Sequence, residues 1–78
     1  MASIDAYRQA FVAALQIEES QLEGLEYQAV PTWDSVGHMA LVTELEDAFD
    51  IMMDTDDILD LSSFEKGKEI LGRYGVEF

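Results

Sequence analysis

The stretch TWDSVGHMALVTELEDAF, residues 32–49, decides how this chain folds. Asp34 is a natural helix N-cap, because its short carboxylate can accept from the free backbone N–H groups of the first turn. That places Ser35 at the first helical position with its side chain exposed. Advancing about 100° per residue from Ser35 gathers Leu41, Val42, Leu45, Ala48 and Phe49 on one side, the expected core face. Val36, Ala40, Thr43 and Asp47 fall on the opposite side, and Met39 and Glu46 flank it. Gly37 costs a helix interior about 1 kcal/mol relative to Ala, so it predicts a close approach, by the preceding loop or by a partner. His38 falls near the core edge, where an imidazole is expected to hydrogen-bond a neighbouring loop rather than to do chemistry.

The same periodicity recurs on either side. Over residues 4–16, Ile4, Tyr7, Phe11, Ala14 and Leu15 form one stripe, with Ser3 as the expected N-cap. Over residues 63–74, Phe64, Gly67, Leu71 and Tyr74 share a face. There SSFE reads as a capping box from Ser62 to Glu65, and Gly75 as the stop. DTDDILDL, residues 54–61, reads as one short helix with acids at its start. Residues 17–33 contain Gly24 and Pro31, which argue against a continuous helix. Leu22, Leu25, Tyr27, Val30 and Trp33 are expected to pin this long loop to the rest. No alternating run or hairpin signal competes. The expectation is all-α: a small bundle of three longer helices and one short helix with a long first loop, residues 1–78 forming one domain.

Composition narrows the function classes. The chain has 78 residues, no Cys, one His and a formal net charge of −13. No disulfide, thiolate metal site or histidine cluster can be built from it. Residues 34–60 carry nine acids (Asp34, Glu44, Glu46, Asp47, Asp50, Asp54, Asp56, Asp57 and Asp60) and no Lys or Arg. Nucleic acids and anionic membranes are repelled by such a segment, and basic protein surfaces are attracted. Acid-rich stretches commonly serve only as solvated surface. The sequence shows no signal peptide and no transmembrane run, so a monomeric, soluble cytoplasmic protein is expected.

Three chemistries can be weighed from the residues. Ser35 and His38 lie three apart, but no G-x-S-x-G turn and no second His accompany them, which argues against a hydrolase. Asp54, Asp56, Asp60 and Glu65 match positions 1, 3, 7 and 12 of a calcium loop, yet Ile58 and Leu59 occupy positions 5 and 6, where a ligand and a Gly are needed. No metal site is expected. The acids along the surface lack the pocket that acid–base catalysis requires. What remains is the outer face of residues 35–49. Single exposed apolar residues are ordinary. A cluster of Val36, Met39 and Ala40 rimmed by Glu46 and Asp47 has the composition of a protein contact surface.

Asp34-Ser35-Val36 opening a helix that ends Leu45-Glu46-Asp47-Ala48-Phe49-Asp50, followed by a short acidic helix and a final helix, resembles the acyl carrier protein family over nearly the whole chain. The resemblance implies a non-catalytic carrier. Ser35 would bear 4′-phosphopantetheine, placed there from coenzyme A by a phosphopantetheinyl transferase that also reads Asp34. Acyl or aminoacyl units would ride as thioesters on that arm. Val36, Met39, Ala40, Glu46 and Asp47 would meet loading ligases or transferases and downstream enzymes with basic docking patches. Leu45, Phe49, Ile58 and Leu61 would line an acyl pocket, or simply pack the core. Thr32-Trp33 before the Asp-Ser pair, and Gly37, His38 and Ala40 after it, depart from fatty-acid-synthesis members. They suit a stand-alone bacterial carrier of a specialised pathway. The competing expectation is an acidic helical interaction module with no prosthetic group.

Overall fold

The computed structural model describes residues 2–78. Four α-helices follow in order: α1 (Ala2–Leu15), α2 (Ser35–Phe49), α3 (Thr55–Asp60) and α4 (Phe64–Gly72), with a short 3-10 turn at Glu19–Gln21 inside the first loop. Among the described residues the only β-type pairing is an isolated bridge between Glu26 and Ser63. The small helical bundle is therefore as expected, and no described helix is long and apolar enough to cross a membrane.

The core forms where the apolar faces of α1, α2 and α4 meet the long loop. Tyr7, Phe11 and Leu15 of α1, Leu41, Val42 and Leu45 of α2, and Phe64, Ile70 and Leu71 of α4 are all buried. Rings knit it together: Phe11 packs edge-on to Trp33 at 5.5 Å and to Phe64 at 5.1 Å between centroids, a geometry that suits aromatic quadrupoles. The Tyr7 hydroxyl donates to the Phe64 carbonyl. Burial, and then the nearby Glu65 carboxylate, push the Tyr7 phenol far above its usual range, so it stays protonated. Leu22, Leu25 and Trp33 pin the first loop, as expected, whereas Tyr27 stays exposed and Val30 half-buried.

Several local expectations are corrected. Ser3 lies inside α1 rather than capping it, since the helix already includes Ala2. The cap of α4 is Ser63, whose side chain accepts from the Lys66 N–H, and not Ser62. Ser62 is held outside the helix because its carbonyl accepts from the Tyr27 N–H at 2.9 Å, next to the Glu26–Ser63 bridge. Ala48 is exposed rather than core. It borders an open groove of about 330 Å³ with Ala6, Gln9, Ala10, Ala13 and Glu44, where small side chains leave the α1–α2 seam unfilled. Asp54 occupies the N-cap position of α3 without a side-chain cap bond, while Asp56 and Asp57 sit in the first turn, the favourable end of the dipole. Helix α4 stops at Gly72, and Gly75 at φ +88° closes the turn beyond it. Val76 N–H then reaches back to the Leu71 carbonyl, an arrangement typical of glycine-terminated helices.

Gly37 and Gly72 make a controlled pair. A Cβ at Gly37 would drive into the Thr32 carbonyl and press on Leu15, whereas a Cβ at Gly72 meets nothing within 4 Å. Alanine should therefore raise stability at Gly72, by up to about 1 kcal/mol from helix propensity. At Gly37 the same propensity gain should be outweighed by overpacking, which typically costs about 1–3 kcal/mol. Urea unfolding of Gly37→Ala and Gly72→Ala checks this, and equal midpoints would contradict it.

Candidate functional site

Ser35 and its neighbours occupy the first turn of α2, where the long loop meets the helix. The Asp34 carboxylate accepts from the Gly37 N–H at 2.9 Å, so Asp34 is the cap. Ser35 is exposed, as expected for a first-turn residue that the cap leaves free. Gly37 is buried under the loop, and the close approach it permits is to the Thr32 carbonyl.

His38 is held at both ends. The Trp33 indole N–H donates to His38 Nδ1 at 3.0 Å. Nδ1 must therefore be unprotonated, and the hydrogen sits on Nε2, which donates to the Ile58 carbonyl at 2.7 Å. The indole and imidazole lie side by side, their planes within 15° and their centroids 6.2 Å apart, as the bond between their edges requires. One ring thus ties the first loop, α2 and α3 together. In this arrangement neither ring nitrogen is free to accept a proton from Ser35, so the two residues do not form a nucleophile–base pair.

The outer face of α2 is laid out as the helical wheel predicts. Val36 is 79% exposed and Met39 53% exposed, and Ala40, Thr43 and Asp47 face solvent with them. Glu46 differs. It is half-buried, and its Oε2 accepts from the Met53 N–H at 2.9 Å, closing the turn between α2 and α3. Asp50 ends α2 in the left-handed region at φ +54°. Sequence periodicity gives no signal for the Glu46–Met53 contact, because it depends on the path of an irregular turn.

All four basic side chains sit beside acids: Arg8 by Glu19, Lys66 by Asp60 and Glu69, Lys68 by Glu65, and Arg73 by Asp57 and Glu69. Among the described residues no Lys or Arg pairs with Glu44, Asp47 or Asp50, so the negative field of α2 is uncompensated. Asp57 is the best-held acid, taking Arg73 at 2.8 Å and the Tyr74 hydroxyl at 2.6 Å. Tyr74 in turn accepts from the Asp54 N–H. The hydrogen bond to Asp57 raises the Tyr74 phenol above its usual range. Sequence reasoning missed this α3–α4 cluster. Among the described residues no group of three or more potential metal ligands converges.

The residues considered for an acyl pocket divide. Leu45 and Leu61 are buried core, and Phe49 and Ile58 are half-buried against it. An open cleft of about 220 Å³ lies beside them, lined by Tyr27, His38, Leu59, Leu61 and Ser62. It shares only Leu61 with that set. Leu59 is 77% exposed at its edge. Comparison with protein-family models, with curated proteins and with solved structures gives no match for this chain.

Truncating His38 leaves the fully buried Trp33 indole N–H without its partner, and leaves the Ile58 carbonyl with only the longer bond from the Leu61 N–H. Such unsatisfied groups cost about 1–3 kcal/mol. His38→Ala should lose at least that much in urea unfolding, while Met39→Ala, one residue on and exposed, should stay within about 0.5 kcal/mol of wild type. Equal losses would show that the bonds of His38 contribute nothing.

Proposed function

We propose that this protein is a phosphopantetheine carrier, with Ser35 as the attachment point. The observation that carries the reading is the first turn of α2. A serine hydroxyl stands in solvent at a helix start whose cap is supplied by the residue before it. The Asp34-Ser35-Val36 opening and the Leu45-Glu46-Asp47-Ala48-Phe49 end of the helix resemble the acyl carrier family. The charge of Asp34 would turn the group outward, into the solvent that Ser35 faces. Asp34 spends its carboxylate on the Gly37 N–H, and a phosphodiester on Ser35 gains from the positive end of α2.

Attachment joins Ser35 Oγ to the β-phosphorus of coenzyme A and expels adenosine 3′,5′-bisphosphate; the serine proton leaves to the transferase. The arm supplies the thiol that a chain without Cys lacks, and with it a thioester link for acyl or aminoacyl cargo. The protein's own residues do the rest. Asp34 orders the turn, and Val36 and Met39 offer an apolar centre. Asp47, with Glu44, offers charge to basic enzymes. Ala40 keeps the middle of that face low enough for close approach. Specialised biosynthesis is the setting we favour, because Trp33, Gly37 and His38 form a fixed local cluster where fatty-acid carriers use other residues.

Incubation with coenzyme A and a broad-specificity phosphopantetheinyl transferase should add one phosphopantetheine to the intact mass, and Ser35→Ala should abolish the gain. Wild type that stays unmodified while a control carrier is loaded sinks the reading. Partner binding indifferent to Ser35→Ala would favour the interaction module instead.

Electrostatics makes a second, separate expectation. Association with a basic partner should slow as salt rises, and Asp47→Lys should cut the on-rate several-fold while leaving the urea midpoint unchanged. Asp47 is the cleaner probe, because reversal at Glu46 would also break its bond to Met53. Stopped-flow binding at two ionic strengths measures both, and unchanged on-rates would contradict the docking role.

A further inference from the structure

With no Cys, the only sulfur in the polypeptide is methionine thioether. Three methionines form a graded series: Met52, in the α2–α3 turn, is 85% exposed, Met39, on the outer face of α2, is 53% exposed, and Met53 is 7% exposed against the core. Met39 stands one helical turn on from Ser35, a rise of about 6 Å, with the exposed Val36 on the turn before it. Its neighbours carry no spare hydrogen-bond donor. Val36 and Ala40 have none, and the Thr43 hydroxyl already donates to the Met39 carbonyl at 3.0 Å. The Glu46 carboxylate only accepts, and holds the Met53 N–H. The Ser35 hydroxyl, one turn back, is consumed when the arm is attached.

Resting on the carrier reading above, we propose that Met39 is a reversible oxidation site: hydrogen peroxide converts its thioether to a sulfoxide, and the face so modified no longer seats partner enzymes. The step balances within itself. A lone pair on Met39 Sδ attacks one peroxide oxygen, the S–O bond forms as the O–O bond breaks, and the second oxygen leaves with both hydrogens as water. Sulfur is oxidised by two electrons and the peroxide is reduced by two. A methionine sulfoxide reductase reverses the step, a pair of thiols becoming a disulfide as the oxygen leaves as water. Access is the first argument, since half of Met39 lies open to solvent. Charge is the second. Peroxide is neutral, so the field of Glu44 and Asp47, which repels anionic oxidants, does not hold it off. Consequence is the third. An apolar side chain at the middle of the docking face becomes a polar one, and a partner that covers it strips water from an oxygen that finds no donor on this helix. Met52 lies in the turn beyond α2, so its oxidation leaves that face as it is.

The test treats the full chain with hydrogen peroxide, removes the excess with catalase, and follows each methionine by its methyl NMR signal, assigned from single Met→Leu variants. Met39 and Met52 should oxidise together, and Met53 many-fold more slowly. The treated protein is then given to a phosphopantetheinyl transferase with coenzyme A. Its loading rate at limiting protein should fall several-fold, in step with the fraction of Met39 sulfoxide, while the urea midpoint stays unchanged. Methionine sulfoxide reductase with a dithiol should restore the rate. Met39→Leu, whatever its own starting rate, should keep that rate through the peroxide treatment, whereas Met52→Leu should lose it as wild type does. An untreated chain that takes up no arm overturns the carrier reading and this inference with it. A chain that loads before treatment overturns this inference alone in any of three cases: if Met39 oxidises no faster than Met53, if the Met39 sulfoxide loads as fast as the thioether, or if Met39→Leu loses as much rate as wild type.

Discussion

The Thr32 carbonyl lies so close against Gly37 that no side chain fits between them. The rest of the first turn of α2 depends on that approach. It brings Trp33 down into the core, and from there the indole reaches His38 and the imidazole reaches α3. It also lets the preceding residue, Asp34, take the cap while Ser35 faces outward. Glycine is a poor helix former, and here the lost propensity is exchanged for docking of a long loop that has little regular structure of its own. A segment of this length without such an anchor would have to hold itself by scattered apolar contacts against a large entropy of ordering.

Helix α3 shows the other side of this economy. It is six residues long and has no fully buried residue. Its position is fixed by polar ties: Ile58 to His38, Asp57 to Arg73 and Tyr74, and Asp60 to Lys66. The ion pairs among these are partly exposed and individually weak. The hydrogen bond from His38 is the inner tie, and it connects α3 to the same turn that presents Ser35. The acid-rich middle of the chain is thus divided. The acids of α3 are partly engaged by Arg73 and Lys66, while Asp47 and Glu44 on α2 project a field with no internal counter-charge among the described residues. On the carrier reading, the helix that meets partners is the one left uncompensated.

Much of this was legible in the residues. The Asp34 cap and the 3.6-residue stripe place α2 at its observed limits, and the wheel separates Leu41, Val42 and Leu45 from Val36, Ala40 and Asp47. The short α3 follows from acids before Ile58. What could not be read were contacts between segments distant in sequence. The capping-box spacing to Glu65 favours Ser62 as the cap, and a hydrogen bond from Tyr27 to the Ser62 carbonyl moves the cap to Ser63. Glu46 looks like a surface acid until the turn beyond α2 brings Met53 to it. The cleft is assembled from separate stretches of chain, and no periodicity within any one of them announces it.

Trp33 carries a consequence of an optical kind. It is the chain's one tryptophan, fully buried, and nearly coplanar with an imidazole that accepts its indole hydrogen. Its emission therefore comes from a single site, at the junction of the first loop with α2. Any event that lifts the loop, or turns the ring of His38, changes the polarity and quenching that this indole experiences. The molecule thus contains its own fluorophore at the turn that bears Ser35, and a partner settling there can be followed without adding a label.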